Sequence, residues 1–359
     1  MRKLFVFLGV VFTAIGSVVS AQEVDSMAPL QKLSWGDAKT SDTVEYIPEI
    51  SLDMRGGFGQ DFSGMDGRFY GDGLYLNIDG YISPNFSYSF NHRIASTAYT
   101  DNSGFNGTNW LTLTYEIGDF SITAGKDGIF LGSFEYDAAD LDSYYEMNSI
   151  FYNNFDCWQW GISGGWYPAE GQSILAQISN SPLSGGFGNL YAYALAWRGE
   201  WDCYESYWTA NLWQYDKGKY VKSLNLGNRF YAGDFTFDLE YGTRFRSFKD
   251  SFANNFTLLF SPSYEWEWGR AFAKVGWEKV SYDTYISPLE TLEEDMFIGD
   301  NIFYGAGAEF FPVKSYKDIR IHAIWASDSH LTGGHFINIG LTWKLNLTNA
   351  AKALFNKRK

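Results

Sequence analysis

The chain has 359 residues and a formal charge of −15, with 42 acidic against 27 basic side chains, a balance that excludes nucleic-acid binding through a basic surface. Aromatic residues make up 19% of it and glycine numbers 37, while cysteine numbers only 2, which argues for strands and tight turns rather than a helical core or a disulfide scaffold. Beyond residue 22 no apolar run approaches the roughly 20 residues of a membrane helix, and mean hydropathy is −0.24, so any bilayer crossing must be made by strands.

The first element is a leader. Arg2 and Lys3 precede an apolar run from Leu4 to about Val19, and Val19-Ser20-Ala21 supplies the small residues of a cleavage site. Residues 1–21 therefore read as a secretory signal peptide, whose removal takes the charge to about −17, and no cysteine stands at the cleavage point to carry a lipid. Residues 22–45 are polar without strand alternation and read as a periplasmic lead-in.

From 46 to 347 alternating segments follow one another with no Pro- or Ser-rich linker, so this stretch reads as one domain. Strands are expected near 47–57, 73–83, 85–95, 109–117, 119–126, 157–167, 172–180, 189–199, 206–215, 220–232, 234–246, 254–266, 269–281, 301–311, 317–327 and 335–347. Their connections alternate in length. Ser83-Pro84-Asn85, Gly118-Asp119, Pro168 to Gly171, Ala232-Gly233-Asp234 and Trp268-Gly269 are short; Gln60 to Asp72, Ser96 to Thr108, Lys126 to Phe155, Asn180 to Gly188, Tyr282 to Asp300 and Ser327 to Gly334 are long. Outer-membrane barrels sort their connections in this way, with tight turns at the periplasmic rim.

The segments also have two unlike faces. In His335 to Leu347, Ile337, Ile339, Leu341, Trp343, Leu345 and Leu347 oppose Asn338, Gly340, Thr342, Lys344 and Asn346. In Asp234 to Arg246, Phe235, Phe237, Leu239 and Tyr241 oppose Thr236, Asp238, Glu240, Arg244 and Arg246, and in Lys317 to Trp325 the apolar side opposes Arg320 and His322. A dry core would strand those ions at a cost of several kcal/mol each. The fold class that fits is all-β: a closed, transmembrane, antiparallel up-and-down barrel of about 16 strands, its oily faces in lipid and its polar faces around a wet lumen.

The stretches GRFYGDGLYLNIDGYISPNFSYSFNHRIA (67–95), NWLTLTYEIGDFSITAGKDG (109–128) and GSFEYD (132–137) resemble the O and P porin family, the phosphate-selective porins, in the form found in Bacteroides-like bacteria. The resemblance is best from about Leu74 to Trp166 and is one of architecture elsewhere. It implies a sixteen-stranded barrel in the outer membrane of a Gram-negative bacterium, often a homotrimer, passing small hydrophilic solutes or ions without cofactor or catalytic residue. The sequence departs from a phosphate-selective pattern. No Lys or Arg occurs between Lys126 and Arg198, whereas Asp127, Glu135, Asp137, Asp140, Asp142, Glu146, Asp156 and Glu170 do.

The longest connection, 126–155, is the candidate for a loop folded into the lumen, where Glu135, Asp137, Asp140 and Asp142 would lay a negative surface across the pore; the alternative is an external solvated loop. Alternation puts Arg55, Lys274, Arg320 and Lys344 on inner faces, and closure makes the first and last strands neighbours. Arg55, Arg320 and Lys344 are then expected to form a basic patch opposite the loop carboxylates, two charge rows with a transverse field between them. Pairing of these cations with Asp53, Glu309 or Asp238 along the wall is the competing expectation.

Other chemistry has weaker signals. His92, His322, His330 and His335 show no HExxH spacing, and the acidic run Leu289 to Asp300 lacks the EF-hand pattern, so no metal site or cofactor is expected. A barrel hydrolase would need a histidine beside a serine or carboxylate at the outer rim, where Ser329 to His335 lies. A scaffold for adhesion or assembly, its loops binding partners, is the other alternative. Cys157 and Cys203 fall on opposite rims, too far apart for a disulfide, whose alpha carbons must lie within about 7 Å. Residues 348–359 form a basic tail ending in Lys357-Arg358-Lys359, with TNAAKALFNKRK favouring a short helix.

Overall fold

A computed structural model describes residues 47–62, 65–94, 107–138, 140–184, 189–247, 252–280, 299–314, 316–328 and 334–356. The leader, the lead-in, His330, Leu289 to Ile298 and the terminal Lys357-Arg358-Lys359 lie outside the described residues. The first eight strands are β1 (Glu49–Asp61), β2 (Met65–Ser83), β3 (Phe86–Arg93), β4 (Thr108–Ile117), β5 (Phe120–Gly128), β6 (Trp158–Ala169), β7 (Gln172–Asn180) and β8 (Tyr191–Trp201). The second eight are β9 (Tyr204–Asp216), β10 (Lys219–Ala232), β11 (Phe235–Phe245), β12 (Phe256–Trp266), β13 (Gly269–Val280), β14 (Gly299–Phe310), β15 (Ile319–Asp328) and β16 (His335–Asn346). Each pairs antiparallel with its sequence neighbours, and β1 pairs with β16, closing a 16-strand barrel without an edge. The seam register sets Asp53 beside Lys344 and Arg55 beside Thr342.

Burial is inverted relative to a water-soluble protein. Along β15, Ile321, Ala323 and Trp325 are exposed while Arg320, His322 and Ile324 are buried, and along β16 Ile339, Leu341 and Trp343 are exposed while Asn338 and Thr342 are buried. The polar phase turns inward and the apolar phase outward, as strand alternation requires when the two sides meet different solvents. Aromatic rings collect at both ends of the apolar band. At the tight-turn rim Trp201 stacks on Tyr204 at 5.4 Å, Phe235 meets Tyr264 at 4.5 Å and Trp268 meets Phe310 at 5.9 Å. At the other rim Phe256 meets Trp277 at 4.9 Å and Tyr304 meets Trp325 at 5.5 Å. These are interfacial girdles, where amphipathic rings settle at headgroup level.

Connection lengths alternate as expected, with three differences. The β1–β2 connection is short, not the long loop read over Gln60 to Asp72: the two strands stay paired through Gly57↔Tyr70, Phe58↔Phe69 and Gly59↔Arg68. Gly56, Gly57, Gly59, Gly67, Gly71 and Gly73 hide the alternation there, because a ribbon held by backbone hydrogen bonds needs no side-chain pattern to exist. On the same rim β9 and β10 are joined by Lys217 and Gly218 alone, with Gly218 at φ 73°. On the opposite rim β14 and β15 are separated by residues 311–318. No disulfide joins Cys157 and Cys203, which stand just before β6 and in the β8–β9 turn, on opposite rims.

The chain then leaves the barrel as a helix, Leu347–Asn356. Asn346 caps it, its Oδ1 accepting from the Asn349 amide at 2.8 Å. Thr348 ties it to the start of β1, accepting from Ile50 N at 2.9 Å and donating to Pro48 O at 2.8 Å.

Candidate functional site: a loop across the lumen

Residues 129–157 join β5 to β6 and fold inside the barrel. Their neck is closed by Ile129 N donating to Cys157 O at 2.9 Å, with Gln177 on β7 bridging Gly128 O and Phe130 N at 2.9 and 3.2 Å. Gly132 then turns the chain at φ 64°, and a Cβ there would lie 2.6 Å from Thr209 Oγ1 on β9, so this position requires glycine both for its backbone and for its clearance. The rest is built from single turns: α1 (Phe134–Asp137), 3-10 turns at Asp140–Asp142 and Tyr145–Met147, and α2 (Ile150–Asn154), which Ser149 caps through its Oγ, 3.0 Å from Tyr152 N. Turns this short have no stability of their own in water, and side chains of the wall hold them.

Three wall glutamates receive the loop's donors. Glu240 on β11 accepts from Ser133 Oγ and from Glu135 N at 3.2 Å. Glu278 on β13, 0% exposed, accepts from the amides of Ile150 and Phe151 at 2.6 and 3.3 Å. Glu309 on β14 accepts from the Tyr144 hydroxyl at 2.8 Å and pairs with Arg270 at 3.2 Å and Arg320 at 3.6 Å. Burial, together with the Glu309 charge, drives the Tyr144 hydroxyl's pKa well above its ordinary value, so it stays a donor. Apolar contacts add to these. Phe151 and Phe155 pack on Trp213 at 6.0 and 4.7 Å, and the Arg244 guanidinium lies 3.9 Å from the Phe151 ring centre.

The structure brings the predicted charges together, but as contact pairs. Asp142 receives both Arg320 and Lys344, the latter at 2.9 Å. Burial would raise its pKa, yet the two cations overcome that and hold the carboxyl well below the usual carboxylate range. Arg55 pairs with Asp72 and donates to the carbonyls of Leu141 and Ser143 at 3.0 and 2.7 Å, its guanidinium 4.9 Å from the Tyr144 ring centre. Lys274 stands apart from that patch and binds Glu135 at 3.0 Å and Asn148 Oδ1 at 2.6 Å; Glu135 also accepts from Ser149 N and Oγ at 3.0 and 2.6 Å, which staples the two ends of the loop. Asp137 pairs with Arg198 on β8. The side chain of Asp140 lies outside the described residues.

The expectation of two charge rows facing each other across a gap is therefore corrected: long cationic side chains reach the loop and close the gap, because unpaired ions in a confined lumen cost more than contact pairs. The wall pairing expected for Asp238 is with Arg229, at 2.7 Å, and Asp53 accepts from Ser51 Oγ and Asn77 Nδ2, each at 3.0 Å. Arg198, Arg229 and Arg270 escaped the sequence reading, which had placed Arg244 on the inner face of its strand. The three lie inward of strands whose alternation was legible, so the phase of each strand would have found them.

Asp137 is fixed on β8 and Asp142 on β15 and β16, on nearly opposite sides of the ring. Five residues reach about 17 Å at full extension. The intervening segment is thus a crossbar over the lumen. On its tight-turn side lies a cavity of about 2030 Å³, lined by eleven carboxylates against five basic groups. Each of the five, Arg198, Arg229, Arg270, Lys274 and Lys317, is already in an ion pair. Glu265 and Glu267 are the partners of Lys317 and Lys314 at the mouth, and the surplus there is acidic, carried by Glu170, Asp202 and Asp234. Among the described residues no cluster of His, Cys, Asp and Glu has a metal-holding arrangement.

Comparison with known proteins gives a consistent architecture. No protein-family model matches the sequence, and no curated protein matches it. Solved porin structures do match the fold. A refined porin structure shares 13% identity over 83% of this chain and 100% of its own, with a TM-score of 0.55. The outer membrane channel DcaP of Acinetobacter baumannii shares 9% over 83% of this chain and 97% of its own, with a TM-score of 0.60. The trimeric, in-vitro folded outer membrane protein OmpT of Vibrio cholerae shares 10% over 83% and 99%, with a TM-score of 0.55. The chain has the closed sixteen-stranded architecture of these porins.

Proposed function

We propose that the protein is an outer-membrane porin, a passive diffusion channel for small hydrophilic solutes that favours cations. The long loops face outward and the tight turns face the periplasm, as the architecture of such barrels dictates. The observation that carries the reading is the acidic vestibule under the crossbar, whose every basic group is spent on an ion pair while carboxylates remain in excess. A water-filled mouth of one charge sign concentrates counter-ions and repels co-ions. The O and P porin resemblance enters this reading as architecture, without the phosphate preference.

Reconstitution into planar bilayers across a salt gradient tests it. The expected result is a conducting channel whose reversal potential has the sign of cation selectivity, weakening as salt screens the mouth. Absence of conductance overturns the pore, and anion selectivity overturns the charge argument. A homotrimer, the form in which the Vibrio protein is described, is part of the same proposal. Chemical cross-linking in mild detergent should stop at three subunits; a ladder ending at one removes that part.

A further inference from the structure

The terminal helix has a chemistry unlike that of the barrel. The chain as a whole carries −15, yet residues 347–359 contain no carboxylate and four basic residues, Lys352, Lys357, Arg358 and Lys359. The helix starts where the outward column of β16, Ile339, Leu341 and Trp343, reaches the tight-turn rim, and Leu347 continues that column in the exposed phase. Leu347, Ala350 and Ala351 recur at the spacing of one helix face, with Asn349 and Lys352 on the other. Its tie to the barrel is through the first turn, at Thr348, while Ala350 and Ala351 are exposed. An apolar helical face is thus left uncovered at the level of the aromatic girdle.

We propose that this helix lies in the interface of the periplasmic leaflet, its apolar face in the acyl boundary and its basic end on anionic phospholipid headgroups. Three observations select lipid as the occupant: the face continues a surface already turned to hydrocarbon, it emerges at girdle depth, and its charge is complementary to an anionic leaflet and opposite to that of the rest of the chain. The inference rests on the barrel being membrane-embedded and not on its conducting.

The full chain is refolded into nanodiscs of phosphatidylcholine, alone or with phosphatidylglycerol, so that both faces meet the solvent. In a background with Cys157→Ser and Cys203→Ser, Ala351→Cys and, separately, Asn349→Cys carry an environment-sensitive fluorophore. The expected result is a blue-shifted emission at 351 that is quenched by brominated acyl chains, with 349 remaining open to iodide. Phosphatidylglycerol should deepen the protection at 351, and neutralising Lys352, Lys357, Arg358 and Lys359 to glutamine should abolish that deepening. Heat-modifiable mobility on gels verifies the barrel in each variant. In a folded barrel, equal iodide access at 351 and 349 with no quenching by brominated lipid overturns the proposal, and protection indifferent to phosphatidylglycerol overturns its headgroup half.

Discussion

Replacing Asp142 by alanine should enlarge the single-channel conductance and move the reversal potential toward anions. Asp142 is the far anchor of the crossbar, held by Arg320 and Lys344, and its loss leaves Lys344 without its carboxylate and Arg320 with Glu309 alone at 3.6 Å. Breaking a buried pair by removing one partner costs about 3–5 kcal/mol, because the surviving charges are left desolvated. The barrel's own ladder of sixteen paired strands does not depend on the loop, so that cost falls on the seating of the crossbar and the lumen widens. Lys344 then faces the water path without its carboxylate, which sets the sign of the selectivity change. In the wild-type protein the Asp142 latch should persist as pH falls from neutrality into the ordinary carboxylate range. A carboxyl whose folded pKa is depressed contributes stability that is fully present above its unfolded pKa, about 3.9, and is lost only as pH falls through the folded value below it. Conductance recorded against pH for both proteins checks the two statements together, and an unchanged conductance in the Asp142→Ala channel removes the crossbar as the constriction.

Arg198→Ala should enlarge the conductance as well, while shifting selectivity the other way. Arg198 anchors the near end through Asp137 and also neutralises Glu205 at 3.7 Å, so its removal frees the bar and adds uncompensated negative charge to the vestibule wall. The guanidinium lies 4.1 Å from the Tyr207 ring centre, so packing is lost together with charge, and the cost is again about 3–5 kcal/mol. The pair of variants separates geometry from electrostatics: a shared increase in conductance reports the bar, and opposite displacements of the reversal potential report the charge. In the double variant the selectivity shifts should largely cancel, whereas the conductance should exceed either single variant by little, since a bar released at one end is already displaced. Reversal potentials and single-channel currents from the four proteins measure this, and equal selectivity shifts of the two single variants contradict the vestibule argument.

The barrel was legible in the sequence because two solvents impose a period on every strand. The expected segments at 220–232 and 335–347 differ by one residue from Lys219–Ala232 and His335–Asn346. That legibility fails where side chains are absent, as in the glycine-rich β1–β2 ribbon, whose pairing is carried by the backbone alone. The candidate site was half legible. Inward phase found Arg55, Lys274, Arg320 and Lys344, and length found the loop. No periodicity tells which cation meets which carboxylate, since Asp142 and Lys344 are 202 residues apart in sequence. Glu240 was read on the lumen face and Glu309 as a wall partner of the inner cations, but their anchoring of the loop, and Glu278 altogether, escaped assignment for a related reason: a carboxylate facing a wet lumen looks the same in sequence whether it meets solvent or accepts from a loop donor.

The two cations that hold Asp142 belong to β15 and β16, and Arg55, which holds the carbonyls on either side of it, belongs to β1 on the other side of the seam. Such distant partners meet late in folding, when the seam is zipped. The latch therefore forms only with the closure of the ring: a polypeptide truncated before residue 319 lacks both partners of Asp142 together with the two strands that close the barrel.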